Sequence, residues 1–282
     1  MNTQHTKRIL KILFYLICTV LSVLCLFPVL YAVLLSFRSN EEIFTYALPF
    51  NFHTLVPVSW TFENYIAIFR DYGFWQPLWN TIVLVAIAIP FSILINSVSA
   101  FSFAMFRFKG KAVLLGLFML SFMIPFDSIS IPLYRIVNTL GWVDTRLALI
   151  VPGLGNGLVM LLFVQFFKDI PSSIVEAARI DGATWMTVLF RVILPLCIPI
   201  CITAGLMVFM EHWNSYLWPL LVARDDSVRT IQIALSDFKT EYETFWSYIF
   251  AASSIALILP LTLFFPFQKY YVQGITSSGV KG

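Results

Sequence analysis

Six long apolar stretches constrain the fold of this chain more than any other feature of its sequence. Each supplies the roughly 20 residues needed to cross a hydrocarbon core of about 30 Å. Charged residues make up only 12% of the 282 residues, against roughly 25% in soluble domains. We therefore predict an all-α polytopic membrane protein with six transmembrane helices. The predicted spans are residues 12–37, 75–106, 112–134, 147–167, 192–222 and 244–268.

The basic residues of the loops predict how these spans are oriented, because short loops rich in Lys and Arg stay in the cytoplasm. With both termini inside, the cytoplasmic segments hold eleven basic and three acidic residues, whereas the external segments hold seven and ten. The net charge of +3 is therefore an orientation signal and gives no reason to expect nucleic-acid binding.

The first span resembles a signal peptide in following a basic segment that contains Lys7, Arg8 and Lys11. Its 26 residues without a charge exceed the apolar core of a cleavable signal, which is about 7–15 residues long. We therefore predict an uncleaved first helix. The four cysteines all fall within predicted spans, where a thiol behaves as a small apolar side chain, and we predict no metal site.

The predicted organisation follows from the spans and the loops between them. Residues 1–37 form the N-terminal tail and first helix, and residues 38–74 form an ordered extracytoplasmic loop. A transmembrane core covers residues 75–270, with a cytoplasmic coupling region at 168–195 and an external loop at 223–243. Residues 271–282 form a cytoplasmic tail. The loop at 223–243 is either a docking surface for a soluble partner or a solvated connection.

A short charged segment between the fourth and fifth spans predicts helix, glycine elbow, helix. Pro171 marks a break, after which Ser173 and Glu176 match the S-x-x-E capping box that starts a helix. Gly182 is placed to end that helix in the left-handed conformation that glycine adopts at little cost. Thr184 can cap a second helix. Glu176 either only completes the cap or belongs to a rigid knob that meets a partner protein.

Two carboxylates lie within predicted spans, where their insertion is costly. Asp127 follows Pro125, which places it either near the outer end of a broken helix that water reaches or at a simple interfacial position. Glu211 begins a polar and aromatic cluster far into the fifth span. Such a cluster suits a sugar, whose C–H faces stack on rings while its hydroxyls need hydrogen-bond partners. The alternative is helix packing with an interfacial aromatic belt.

The fourth span contains glycines at small-xxx-small spacing, Gly153 and Gly157, which predicts close helix packing. No G-x-x-x-x-G-K-[ST] phosphate loop occurs in the sequence. The chain therefore has no visible means of binding ATP itself. It also shows no zinc-binding, serine-triad or Cys/His catalytic pattern.

The coupling segment resembles the EAA motif of ABC importer permeases. Glu176-Ala177-Ala178 is followed at the motif's spacing by Gly182 and by the Val-Ile-Leu-Pro run that ends at Pro195. The resemblance extends through the segments 131–134, 140–145, 213–220, 268–276 and 279–282. Over about the last three quarters of the chain, the sequence is similar to the shorter membrane subunit of carbohydrate-uptake ABC importers of the maltose-transporter type.

This resemblance implies a complex of two different permeases, two cytoplasmic ATPase subunits and an extracytoplasmic solute-binding protein. ATP and Mg²⁺ would bind to the ATPases, and this chain would be a non-catalytic subunit without a cofactor of its own. The EAA helix would dock in a groove on the ATPase, and the 223–243 loop would reach toward the binding protein. The implied location is the bacterial inner membrane. The implied coupling residues are Glu176, Ala177, Ala178, Arg179, Asp181 and Gly182.

One departure from the family pattern concerns substrate chemistry. Glu211 and His212 stand where relatives more often carry small or uncharged residues, and in the maltose case the sugar contacts come mainly from the other permease. We nevertheless hypothesise that Glu211 faces the translocation path. The candidate path residues are Asp127, Glu211, His212, Trp213, Asn214 and Tyr216.

The sequence therefore predicts a permease subunit for an oligosaccharide, a monosaccharide or a related polyol. One alternative is an importer of a phosphorylated polyol such as glycerol phosphate, which would need a cationic path. Another is an intramembrane enzyme built on Asp127 and Glu211, which would leave the coupling segment unexplained.

Overall fold

The computed structural model describes residues 3–239 and 244–279, and over these ranges the backbone is helical without a strand. Those parts of the predicted external loop and C-terminal tail that fall at 240–243 and 280–282 lie outside these ranges. The chain divides into two compact units. One combines the residues up to Phe74 with Leu235–Ile258, and the other combines Trp75–Ala234 with the residues from Leu259 onward.

The first unit begins with the long apolar helix of the first predicted span and continues into the external loop. Pro28 lies inside that first helix, and most of its side chains are exposed. Short helices follow, as the sequence predicts for residues 38–74. The helices are α1 Thr3–Leu35, α2 Asn40–Thr45, α3 Phe52–Leu55 and α4 Glu63–Arg70.

Buried polar residues connect different parts of the predicted loop at residues 38–74. Arg38, which is only 1% exposed, lies 3.6 Å from the Glu42 carboxylate and donates to the backbone carbonyl of His53. Glu42 in turn accepts from the backbone N–H of Val58 at 2.8 Å. Asn64 donates to two backbone carbonyls at the end of the first span. Because buried polar groups are costly without partners, these bonds stabilise the arrangement of short helices at residues 38–74.

The remaining helices follow from Trp75 onward. They are α5 Trp75–Met105, α6 Lys111–Met123, α7 Phe126–Thr139, α8 Arg146–Ile150, α9 Gly157–Asp169, α10 Ser172–Ile180, α11 Trp185–Thr187, α12 Leu194–Leu196, α13 Ile198–Trp213, α14 Leu217–Val222, α15 Ile231–Asp237 and α16 Trp246–Gly279. A 3₁₀ turn covers Val151–Gly153, and a π-helical segment covers Val188–Ile193. Helix α5 packs against α9 and α13 and forms the centre of the second unit.

Three of the predicted spans are straight and three are bent. The straight candidates are Leu10–Leu35, Trp75–Met105 and Trp246–Tyr270. Helices α6 and α7 meet at 97°, the segments around α8 and α9 meet at 42°, and the segments around α12 and α13 meet at 85°. The predicted spans 112–134, 147–167 and 192–222 are therefore broken helices, and the first break lies just before Asp127, as one of its two interpretations predicts. Six crossings remain a prediction, which holds if each bent pair crosses the membrane once.

Each bend has a local cause in the sequence. Ile124 precedes Pro125 and adopts an extended backbone, as the residue before proline prefers. Asn156 is extended and caps α9 with its side chain. Cys197 leaves the helical region between Pro195 and Pro199, both of which lack a backbone N–H.

The segment predicted as the second external loop begins within the second unit and is hydrogen-bonded to it there. Asp144 accepts hydrogen bonds from the backbone N–H groups of Arg224 and Asp225, at 2.6 and 3.0 Å. Ile231 and Ile233, part of the apolar stretch in this loop, are almost fully buried. A docking surface in this loop would therefore have to use its exposed acidic residues rather than its apolar stretch.

Candidate functional site

The segment between α10 and α11 forms a sharply defined turn. Gly182 has φ +84, and its N–H donates to the carbonyl of Arg179 while the N–H of Ala183 donates to the carbonyl of Ala178, at 3.1 and 3.0 Å. These two bonds define a Schellman motif, with glycine at the left-handed position. The predicted helix, glycine elbow, helix is confirmed.

The start of α10 differs from the prediction. Helix α10 begins at Ser172 with Pro171 as its N-cap residue, and no side chain caps it. The predicted capping box of Ser173 and Glu176 is therefore wrong. Because the helix starts one residue early, Ser173 occupies its second helical position and cannot bond to the N–H groups that a cap satisfies. This removes the interpretation in which Glu176 only completes a cap.

A cation–π contact braces the turn. The guanidinium of Arg179 lies over the ring of Trp185 with its Cζ atom 4.6 Å from the ring centroid, and Arg179 donates through Nη1 to the carbonyl of Ala183 at 2.5 Å. Thr184 caps the second helix as predicted, since its hydroxyl accepts from the N–H of Thr187. The Trp185 ring also meets Phe106 edge-on at 4.9 Å. The turn is therefore connected to the end of α5 by aromatic packing.

One face of α10 is free. Val175 is its one buried residue, whereas Ile180 is 85% exposed. The predicted coupling residues Glu176, Ala177, Arg179, Asp181 and Gly182 are exposed, and Ala178 is half-buried. A rigid helix end with an exposed apolar tip is a suitable surface for a second protein.

The polar cluster of the fifth span borders a cavity of about 860 Å³ in the second unit. This volume is within the range of small-molecule sites, roughly 300–1,000 Å³. The walls are mainly apolar, and Glu211, His212, Asn156 and Ser215 are among the polar residues that line it. Helices α6, α7, α9 and α13 contribute lining residues.

Glu211 is positioned by Asn156, a residue that the sequence analysis did not single out. The side-chain amide of Asn156 donates to Glu211 Oε2 at 2.5 Å, and its Oδ1 accepts from the N–H of Val159 at 3.0 Å. The buried side chain of Asn96 accepts from the backbone N–H of Asn156 and donates to the carbonyl of Leu154. Asn156 thus caps α9 and orients the carboxylate at once. The S/T/D/N preference for cap positions was the available sequence signal.

Only two of the six predicted path residues line the cavity. Glu211 and His212 line it, whereas Asp127 is exposed in the first turn of α7 and does not. Trp213 is 1% exposed, stacks on Phe209 and belongs to the core. Asn214 bonds to the last turn of α13, and Tyr216 is 43% exposed; neither lines the cavity.

The glycines of the fourth span do allow a close approach, though not between two continuous helices. A Cβ at Gly157 would stand 2.0 Å from the Phe122 ring, and one at Gly153 would stand 2.9 Å from the His212 ring. Aromatic side chains therefore occupy the space that these glycines leave. Among the described residues, no group of three or more His, Cys, Asp or Glu side chains could hold a metal ion.

Comparisons with known proteins agree with this architecture. Residues 89–277 match the family described as binding-protein-dependent transport system inner membrane component. An arabinooligosaccharides transport system permease protein of Halalkalibacterium halodurans is 30% identical over 280 residues, covering 99% of each chain. An sn-glycerol-3-phosphate transport system permease protein of Rhizobium meliloti is 32% identical over 267 residues, covering 91% of this chain and 92% of that one.

A solved structure shares the fold. A chain of a bacterial ABC transporter involved in the import of the acidic polysaccharide alginate superposes with a TM-score of 0.81 at 22% identity, covering 94% of this chain and 97% of that one. The permease resemblance drawn from the coupling motif is thereby confirmed. The protein belongs to the family of binding-protein-dependent transport system inner membrane components, the membrane subunits of ABC importers.

Proposed function

We propose that this chain forms half of the translocation path of a carbohydrate importer and is driven by a cytoplasmic ATPase that grips α10 and the Gly182 turn. The observation that carries the proposal is the exposed, Schellman-terminated α10, which lies inside the family match and is braced against α5. A rigid lever of this kind transmits movement, whereas a flexible loop would absorb it. Both termini then lie in the cytoplasm.

The substrate class rests on the relatives. Proteins named for arabinooligosaccharides, lactose and trehalose/maltose transport are 25–30% identical over nearly the whole chain. The relative named for sn-glycerol-3-phosphate supports a phosphorylated polyol as the second candidate. We favour the carbohydrate because its relatives are the more numerous among those compared.

The proposed assembly contains a second, different permease, two ATPase subunits that bind ATP and Mg²⁺, and an extracytoplasmic binding protein. A solved alginate ABC transporter, similar to this chain at TM-score 0.63, was crystallised with a ligand-bound periplasmic protein, which supports the last partner. An intramembrane enzyme is disfavoured, since Glu211 lines the cavity and Asp127 does not.

Mass spectrometry of proteins that co-purify with the chain from native membranes in mild detergent tests this assembly. We expect a second permease and an ATPase, and the captured binding protein can then be screened for its ligand. Reproducible recovery of the intact chain alone would contradict the proposal and favour a self-contained membrane protein.

A further inference from the structure

One carboxylate oxygen at the cavity wall is available to a ligand. Asn156 holds Glu211 through Oε2, and the structure gives Glu211 Oε1 no hydrogen-bond partner among the described residues. Asn156 is itself fixed by the cap of α9 and by Asn96. A carboxylate oxygen is thereby held in place on a rigid support and left available to accept a hydrogen bond from a hydroxyl.

His212 provides an independent observation at the same wall. The residue is only 8% exposed and lines the cavity, and its buried Nε2 has no hydrogen-bond partner among the described residues. An unpaired buried polar atom costs free energy, and a ligand hydroxyl that bonds to Nε2 when the ring turns toward the cavity would remove this cost. Gly153 leaves the space next to this ring, since a Cβ there would stand 2.9 Å from Cε1.

Four aromatic side chains also line the cavity and form what we call its aromatic wall. Phe118 and Phe122 lie edge-on at 5.0 Å, and Phe126 meets Trp218 edge-on at 5.8 Å. All four residues line the cavity. A cavity lined by both rings and hydrogen-bonding groups suits a sugar ring, which presents C–H faces and hydroxyl edges. A lipid chain would satisfy the rings but leave His212 and Glu211 unpaired.

The charges of the lining residues favour a neutral ligand over an anionic one. Glu211 is a carboxylate, and no Lys or Arg is among the lining residues in the described part of the chain. A phosphate or carboxylate ligand would find no cation to balance it and would be repelled by Glu211. The cavity therefore suits an uncharged ligand.

We propose that this subunit carries its own binding subsite for an uncharged sugar unit, in which Glu211 and His212 hydrogen-bond the hydroxyls and the aromatic wall packs on the ring. This proposal rests on the proposed import function and deepens it. Glu211 is then a specificity-determining residue that excludes phosphorylated and acidic substrates from this half of the path.

The test measures binding to the purified permease–ATPase complex without its binding protein, by equilibrium dialysis. The probes are arabinotriose, maltose, trehalose and lactose as uncharged sugars, and sn-glycerol 3-phosphate and glucuronic acid as anions. We expect at least one uncharged sugar to bind and both anions to fail. Glu211→Gln should weaken sugar binding about tenfold, the scale of one hydrogen bond to a charged group. Glu41→Gln, at an exposed carboxylate of α2, should not change it.

A second variant tests the position of the His212 ring instead of the charge of Glu211. Gly153→Ala pushes on the His212 ring and should also weaken sugar binding, whereas Gly116→Ala, with nothing within 4 Å of its Cβ, should not. Anion binding, binding of no uncharged probe, or displacement of the probe by phospholipid alone would overturn the subsite. In each case, intact co-purification and ATP hydrolysis stimulated by the binding protein would show that the import function itself survives.

Discussion

The guanidinium carbon of Arg179 lies 4.6 Å from the ring centroid of Trp185 across the Gly182 turn. The same ring packs at 4.9 Å against Phe106, one residue beyond the end of α5. A displacement of α10 would therefore be transmitted from the Arg179 guanidinium through the rings of Trp185 and Phe106 to α5, the helix at the centre of the second unit. The contact therefore connects the proposed coupling surface with the core of the second unit.

Replacing Arg179 with Ala should uncouple ATP hydrolysis from transport. The lost cation–π contact is worth about 1 kcal/mol at an exposed site, so we expect uptake to fall several-fold while the ATPase still binds. Uptake and ATP hydrolysis in proteoliposomes measure both quantities. Arg179→Lys, which keeps a cation for the ring, should recover part of the coupling. An unchanged ratio of sugar imported to ATP hydrolysed in the Ala variant would contradict this role.

Replacing Gly182 with Ala should impair coupling through the backbone. The left-handed conformation costs a residue with a Cβ about 1–2 kcal/mol, and a Cβ at Gly182 would meet no atom within 4 Å. Gly141 is a matched control, with φ +69 and equally open surroundings. Both Ala variants should lower the melting temperature of the complex similarly, but only the Gly182 variant should lose uptake. Equal uptake by the two variants would argue that the turn is not the coupling element.

Gly157→Ala should destabilise the second unit. Its Cβ would lie 2.0 Å from the Phe122 ring, so that ring must move, at a cost of about 1–3 kcal/mol for overpacking. Gly155→Ala places a Cβ in open space two residues earlier. Thermal unfolding of the purified complex should show a lower midpoint for the first variant only, and equal midpoints would refute the close approach.

The segment at residues 38–74 in the first unit should lose stability in acid. Burial raises the pKa of Glu42, but hydrogen bonds from Ser59 and Val58 and the charge of Arg38 outweigh it, so the pKa lies below its ordinary value of 4.5. Because the folded-state pKa is lowered, this contribution is present above pH 4.5 and is lost as the pH falls through the folded-state value.

Glu42→Gln should flatten that acid dependence, measured by the fluorescence of Trp60 in the same loop. Glu41→Gln, on the exposed side of α2, should leave it unchanged. A steep acid transition that persists in the Glu42 variant would assign the transition to another group.

The sequence predicted the features that depend on a single residue type. The Gly182 turn and the Thr184 cap were predictable because few residues suit those positions. The start of α10 was not, since Pro171 and Ser173 both mark helix starts and only the backbone decides between them. Apolar length predicted the spans but not their bends, because hydropathy is the same in a straight helix and in a broken one.

The cavity was the least predictable element. Glu211 and Asn156 are 55 residues apart in sequence, and no local pattern indicates that their side chains meet. The sequence places Trp213 and Glu211 in one candidate path because the two are neighbours in the chain. On a helix, residues two positions apart face different directions, and Trp213 accordingly turns into the core.

The bent spans also bear on how the protein enters its membrane during synthesis. Helices α6, α7 and α9 have 13, 14 and 13 residues, about 20 Å each at 1.5 Å per residue, too short to cross the hydrocarbon core alone. Helix α5, with 31 residues, is long enough to insert by itself. Helices α9 and α13 can then pack against it. We therefore expect nascent chains to anchor first at α1 and α5, each long enough to span by itself, and to acquire the three bent crossings together, as a folding event inside the bilayer.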